Sequence, residues 1–175
     1  MPATSRTARA CALALAGLGL SATTMTAPPA TAADGATGTA GVTSKATAAR
    51  KVSARVLSAR DTALRQRGDA YAYGAAGPDR FDCSGLIQYS YRRAGFSVPR
   101  TSGAQAGFTR RIAKSDMRAG DLMFFYGSGG VYHAAIFLRW SRGHAVMVHS
   151  PGSGQRVRVA VPWTSSWFGG TLRRA

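Results

Sequence analysis

Glutamate is absent from this sequence, and cysteine occurs only twice among its 175 residues. Seven aspartates stand against 23 lysines and arginines, a formal net charge of +16. This excludes a charge-balanced surface and suggests an anionic surrounding, whether nucleic acid, wall polymer or lipid head group. Two cysteines cannot build a disulfide framework. Beyond a short N-terminal run, no apolar stretch approaches the roughly 20 residues a membrane helix needs. Internal repeats and signs of a second domain are also missing, which leaves room for one domain.

The N-terminus reads as an export signal. Arg6 and Arg9 precede the short apolar run "ACALALAGLGL", and the small residues of "PPATAAD" follow it. Cleavage is expected after Ala32 or Ala33. Residues 1–33 would then be removed, and Cys11 with them. The mature chain would be secreted, with Cys83 as its lone thiol. A lone thiol in an oxidising space is exposed to damage. It is either buried and inert or there to react.

Residues 34–50, "DGATGTAGVTSKATAAR", offer almost nothing to bury and read as a disordered spacer. Val52, Val56, Leu57, Ala63 and Leu64 predict a leading helix over 51–66, so that 34–65 forms spacer plus helix and 66–175 the compact domain. Gly and Pro punctuate a loop over 71–82. A helix then starts at Cys83, capped by Asp82 or Ser84. Cys83, Leu86, Ile87, Ser90, Tyr91 and Ala94 share one face, and Gly95 is placed to end it. After residue 115 the pattern changes to strands over 120–126, 131–140, 144–150 and 155–162, with short connections that favour antiparallel pairing. The predicted class is α+β, early helices followed by a meander sheet. The "GSGG" at 127–130 lacks the lysine and following helix of a phosphate loop and reads as a turn. The RGD at 67–69 reads as a helix end before a turn.

Cys83 heads the inward helix face, where unpaired N–H groups and the helix dipole favour thiolate. A histidine beside it would complete an activated nucleophile. Three are available, His133, His144 and His149. His133 opens one strand and His149 closes its neighbour. One can take the proton while the other fixes its tautomer. One cysteine and two spread histidines lack the local pair of a zinc site, so no metal and no cofactor are expected.

These residues resemble the NlpC family of bacterial cell-wall cysteine endopeptidases, which have a compact papain-like fold. The resemblance runs through "AYAYGAAGPDRFDCSGLIQYSYRRAGFSVPRTSGAQ", "RAGDLMFF", "YHAAIFL" and "MVHSP", nearly all of 66–175. It implies Cys83 as nucleophile, His133 as general base and His149 as its orienter. It also implies that Tyr71 lies near the oxyanion and that Asp82 and Ser84 line the substrate pocket, where some members hold a free amine. The backbone N–H of Cys83 is a natural oxyanion donor. The chain departs from the family pattern at Tyr73, which stands for a tryptophan, and at Ala75 and Ala135, which stand for glycines. A longer hairpin separates His133 from His149, which leaves His144 as an alternative orienter.

The expectation is a monomeric, secreted peptidoglycan hydrolase that cuts stem peptides, between D-glutamate and the diamino acid, and is held on an anionic wall by its charge. The rivals are a non-catalytic wall-binding module on the same fold, and amidase or transpeptidase chemistry on the same polymer. Phe81, Tyr89, Tyr91 and Trp140 lie among arginines as stacking platforms for nucleic acid would. Their spacing fits core packing better, and export argues against that partner.

Overall fold

The structure is a computed structural model that describes residues 39–173, with side chains from residue 43. The predicted signal segment, its cleavage site and Cys11 lie outside the described residues. The first helix, α1 (Thr39–Arg65), buries Val56, Ala59, Thr62 and Ala63, an i, i+3, i+6, i+7 stripe that faces the domain core. It begins well before the predicted start at residue 51, inside the stretch read as a spacer. Residues 43–51 are all exposed, so they gain no packing. Alanines, lysine and arginine there are good helix formers, and the packed half supplies the nucleus that propagation needs.

Two short strands follow, β1 (Ala70–Tyr71) and β2 (Arg80–Phe81), which pair in parallel. Helix α2 (Cys83–Arg93) starts two residues after β2, as the sequence predicts. Its N-cap is Asp82, whose carboxylate accepts from the Gly85 N–H at 2.7 Å. Its end is fixed by Gly95, which sits at φ +81 where a side chain would be strained. Helix α3 (Ser102–Phe108), capped by Thr101, is short and was not predicted.

A six-stranded antiparallel sheet forms the other layer. Its strands are β3 (Arg110–Ile112), β4 (Leu122–Gly127), β5 (Gly130–Ser141), β6 (His144–His149), β7 (Arg158–Ala160) and β8 (Trp167–Thr171). The spatial order is β3-β8-β4-β5-β6-β7. The predicted meander is therefore its β4 to β7 part, while β3 and β8 extend it beyond β4. The predicted fourth strand, 155–162, shrinks to three residues. Its first part bonds elsewhere: Tyr71 N–H donates to the Gln155 carbonyl and Val157 N–H to that of Asp69, both at 2.9 Å. This stitches the segment before the active helix to the far edge of the sheet.

Alternation along the strands divides the core. Leu122, Phe124, Ala134, Ile136 and Val148 pack with Leu86, Ile87 and Tyr91 of α2 and with the buried stripe of α1. Met123, Phe125, Ala135, Phe137 and Met147 form a second cluster with Met117 and Trp167. The "GD" before β4 locks the sheet to the chain end. Buried Asp121 accepts from Thr171 at 2.6 Å and from Arg173 at 2.5 Å, and the Tyr91 hydroxyl donates to the Gly120 carbonyl. No described helix is long and apolar enough to cross a membrane.

Candidate active site

Cys83 is the first residue of α2, partly buried and with a free thiol. The reason that "DCSG" can bring it there lies two residues on. A Cβ at Gly85 would overlap the Ala75 carbonyl, so the first turn of α2 backs directly onto the 72–77 loop. Asp82 N–H donates to that same carbonyl at 2.9 Å. The Asp82 carboxylate accepts five hydrogen bonds: from Gly74 N–H, Gly85 N–H, the Ser84 hydroxyl and both terminal nitrogens of Arg100. Arg100 also donates to the Ser84 hydroxyl at 2.9 Å. A carboxylate offers about four lone-pair sites. Asp82 is thus fully engaged by the protein, and in this geometry no acceptor is left for the free amine that the resemblance suggested for it. Burial alone would raise its carboxyl, but the Arg100 hydrogen bond and the Gly85 N–H more than offset this and hold it below the ordinary range.

His133 and His149 meet on the opposite wall. Ile136 faces Val148 in the β5–β6 register, so His149 lies diagonal to His133 on the same face of the sheet. Their nearest ring nitrogens, His133 Nε2 and His149 Nδ1, are 3.0 Å apart and the rings stand edge to face. Both residues are buried, at 5 % and 1 % exposure. Burial pushes His133 down to about 3, with His149 adding to the fall, and His149 down to about 4, with Arg158 adding to it. Both imidazoles are therefore neutral near pH 7. His144 is exposed and pairs with Ser141 at the far end of β6, so it is His149 that reaches His133.

The sulfur of Cys83 sits where the N–H of Ala134, next to His133, acts on it together with those of Ser84 and Cys83 itself. These lower its proton affinity, as the helix-start argument expects. Burial is the larger effect, however, and the thiol is pushed up overall. Burial thus works against the thiolate that the helix start alone would favour. Partial burial of the first residue of α2 against the sheet outweighs the local effect of the helix start. Tyr71 is near enough that a Cys83 anion, after burial, raises its hydroxyl. Tyr73 is 92 % exposed and walls nothing off.

Four supporting residues went unassigned in the sequence. Ser150 donates to the Phe81 carbonyl at 2.7 Å and ties the end of β6 to the chain just before Cys83. Gln105, fully buried, donates to the carbonyls of Ser84 and Pro99. Arg100 holds Asp82. All three lie inside or beside the recognised motifs, which was the available signal. The fourth, Trp163, lies outside them and stacks on Phe125. Among the described residues no cluster of His, Cys, Asp or Glu is grouped to hold a metal ion.

The NlpC/P60 family model matches residues 68–173. A probable endopeptidase of Corynebacterium glutamicum is 42 % identical over 93 residues, which are 53 % of this chain and 42 % of that protein. The chain thus spans less than half of that relative. The solved peptidoglycan hydrolase RipB of Mycobacterium tuberculosis superposes with a TM-score of 0.61 at 27 % identity, over 70 % of this chain and 67 % of the other. RipD of the same organism, described as a non-catalytic NlpC/p60 domain protein adapted to peptidoglycan binding, gives a TM-score of 0.55 at 29 % identity, over 67 % of this chain and 97 % of its own. The helix-on-sheet arrangement is that of these papain-like domains.

Proposed function

Because the chain belongs to the NlpC/P60 family, we propose that it is an exported cysteine peptidase that hydrolyses an amide in the stem peptide of peptidoglycan, between D-glutamate and the diamino acid. The observation that supports this reading is a free thiol at a helix start, acted on by the N–H of Ala134 next to His133, together with a buried imidazole pair whose nitrogens are 3.0 Å apart. A binding module has no use for that pair.

The chemistry follows from the protonation states. His133 Nε2 is engaged with His149, which leaves Nδ1 to take the thiol proton as Sγ attacks the amide carbonyl. Burial, which raises the thiol, favours proton transfer to His133 as attack occurs. The Cys83 N–H and the Tyr71 hydroxyl stabilise the oxyanion. His133, now cationic, passes its proton to the leaving amine, and the C–N bond breaks to leave a thioester. Water then gives a proton to His133 and its oxygen to the carbonyl. Collapse releases the acid and returns the proton to Cys83. Asp82, Ser84 and Arg100 form the pocket wall on the helix side. A stem peptide with an acylated N-terminus suits this wall, because its carboxylate is already neutralised by Arg100.

The test is digestion of purified peptidoglycan by the chain and by Cys83→Ala, with fragments identified by mass spectrometry. Stem-peptide cuts made only by the unsubstituted protein are expected. Wall binding without fragments from either protein would favour the binding role described for RipD. Even without Arg6 and Arg9, which leave with the signal, the large excess of lysine and arginine over aspartate supports retention on an anionic wall, so binding should weaken as salt rises.

A further inference from the structure

Trp163 lies in the connection between β7 and β8, and no motif marks it. Its indole stacks on Phe125 with ring centroids 4.6 Å apart and planes 10° apart. The same ring lies 5.2 Å from His133, edge to face, and 5.8 Å from His149, nearly parallel. One side chain therefore touches both imidazoles and the aromatic ring paired across from His133 in the β4–β5 register. Yet Trp163 is itself 56 % exposed, while the histidines beneath it are almost completely covered. A tryptophan placed for its own burial would not leave half its surface in water. What this position achieves is cover for the groups below.

The pair needs such cover. A hydrogen bond between two neutral rings is modest where water can compete, and gains strength where water is excluded. The far nitrogen of the orienter, His149 Nε2, is buried with no partner, so the pair has no further hydrogen bond behind it to fix its ring planes. Ring contacts must do so instead. We propose that Trp163 is a positioning residue, a roof that keeps water off the His133–His149 hydrogen bond and holds His133 with Nδ1 toward Cys83. This rests on the catalytic roles proposed above for those three residues.

The charged and titratable groups around the pair are few. Cys83 on α2 meets the N–H of Ala134 next to His133, Tyr71 lies near the thiol, Arg158 sits opposite His149 on β7, and beyond the indole Lys114 donates to the Ser165 carbonyl and lines a cavity with His144 and Trp163. The 161–166 connection that carries Trp163 has no charged residue. Removing the indole thus changes solvation of the pair, not its charge environment. Trp163 and its neighbours in the connection also line a cavity of about 430 Å³, together with Trp140 and Trp167. The competing role for Trp163 is therefore a wall for bound substrate, which predicts a different kinetic signature.

The experiment compares the full chain with Trp163→Ala, Trp163→Leu and Trp163→Phe. Two quantities are followed from about pH 2.5 to 9, a range that includes the lowered histidine values: alkylation of Cys83 by iodoacetamide, and kcat and KM on a soluble stem peptide. For the alanine and leucine variants the expected result is a kcat loss of about 10- to 100-fold, the scale of a misplaced catalytic group. KM should change little, and the acid-side midpoint should rise toward the ordinary histidine value of about 6.5. Phenylalanine should restore most of the rate and the original midpoint. Leucine keeps an apolar cover should alanine not fold. A raised KM with kcat and pH profile unchanged would overturn the roof and make Trp163 a substrate wall. An unchanged protein in every measure would overturn it as well. A His133→Ala control separates the two levels of the argument. If that control alkylates and hydrolyses as the unsubstituted chain does, the catalytic reading itself falls, and the roof falls with it.

Discussion

The two walls on either side of Cys83 are built from opposite materials. The helix-side wall is a saturated polar lattice: Asp82 accepts five hydrogen bonds, Arg100 pairs with it at 2.5 Å, and Ser84 joins both. The sheet-side wall is made of rings, with one hydrogen bond between its two histidines and one buried nitrogen left unpaired. The difference follows from what each wall must do. The first fixes a backbone, the capped start of α2 that carries Cys83, and charged hydrogen bonds are strong and directional. In the mechanism proposed above, the second gains and loses a proton. A carboxylate partner would hold an imidazolium and raise its affinity for the proton, whereas neutral rings leave His133 uncharged and ready to accept.

The largest effect should come from dismantling the saturated wall. Asp82→Ala removes the helix cap and strands Arg100, Gly74 N–H and Gly85 N–H without their acceptor. A loss of about 3 kcal/mol is expected in urea unfolding, from one cap and several charge-assisted bonds. The ion-pair share of this is small, because the Arg100 side chain is 34 % exposed and screened by solvent. Asp82→Asn keeps one carbonyl acceptor and should fall between. Equal stability of Asp82→Ala and the unsubstituted chain would mean that the lattice is decorative and the contrast between the walls false.

Acid separates the two walls by pH. The folded proton affinities of His133 and His149 lie near 3 and 4, below the ordinary value of about 6.5 that unfolding restores. Between about pH 6.5 and 4 the unfolded chain therefore binds more protons, and stability falls as pH falls. Asp82 is also held low, but its contribution is lost only as pH drops below the ordinary aspartate range near 3.9. His149→Gln should flatten the upper part of the stability–pH curve and leave the lower part. Asp82→Asn should do the reverse. Guanidinium unfolding at a series of pH values reads both, and a curve of one shape for both variants would sink the assignment.

The same contrast explains how much was legible in the sequence. The helix wall was readable because its parts are local. Asp82, Cys83, Ser84 and Gly85 are consecutive, and both capping chemistry and the apolar stripe of α2 leave a pattern at fixed spacing. The meander from β4 to β6 was readable from alternation and Gly-rich turns. Strand β8 was not, because "WFGGT" carries two glycines chosen for close packing: a Cβ at Gly169 would meet the Met117 sulfur, and one at Gly170 the Thr109 hydroxyl. Strand β3 is too short to show a period. Helix α3 has seven residues, two of them glycine, and only the Thr101 cap announces it. The start of α1 was misread because composition says whether a segment can bury itself, not whether a neighbouring packed helix can extend into it. The balance at the thiol was misjudged because helix-start electrostatics are local while burial is set by the sheet. Trp163 was missed for the same reason: its meaning lies only in the rings it touches.

The smallest effect concerns the two histidines of β6 and sharpens the comparison most cheaply. His149 and His144 are the same residue type on one strand, five positions apart. His149 lies under Trp163 with Nδ1 on His133, while His144 is exposed beside the Arg142–Gly143 turn. If the ring wall works through burial and contact, His144→Ala should leave kcat, KM and the acid midpoint within about twofold and stability within about 0.5 kcal/mol, as for most surface changes. His149→Ala, measured beside it, should lower kcat by about 100-fold, since a base without its orienter spends most of its time misaligned. His149→Gln restores an acceptor near the Nδ1 position and should recover part of that loss. A His144→Ala variant as impaired as His149→Ala would mean that the hairpin rearranges in the working enzyme to bring the outer histidine in. The sheet-side wall would then be a moving element, not the fixed counterpart of the helix-side lattice.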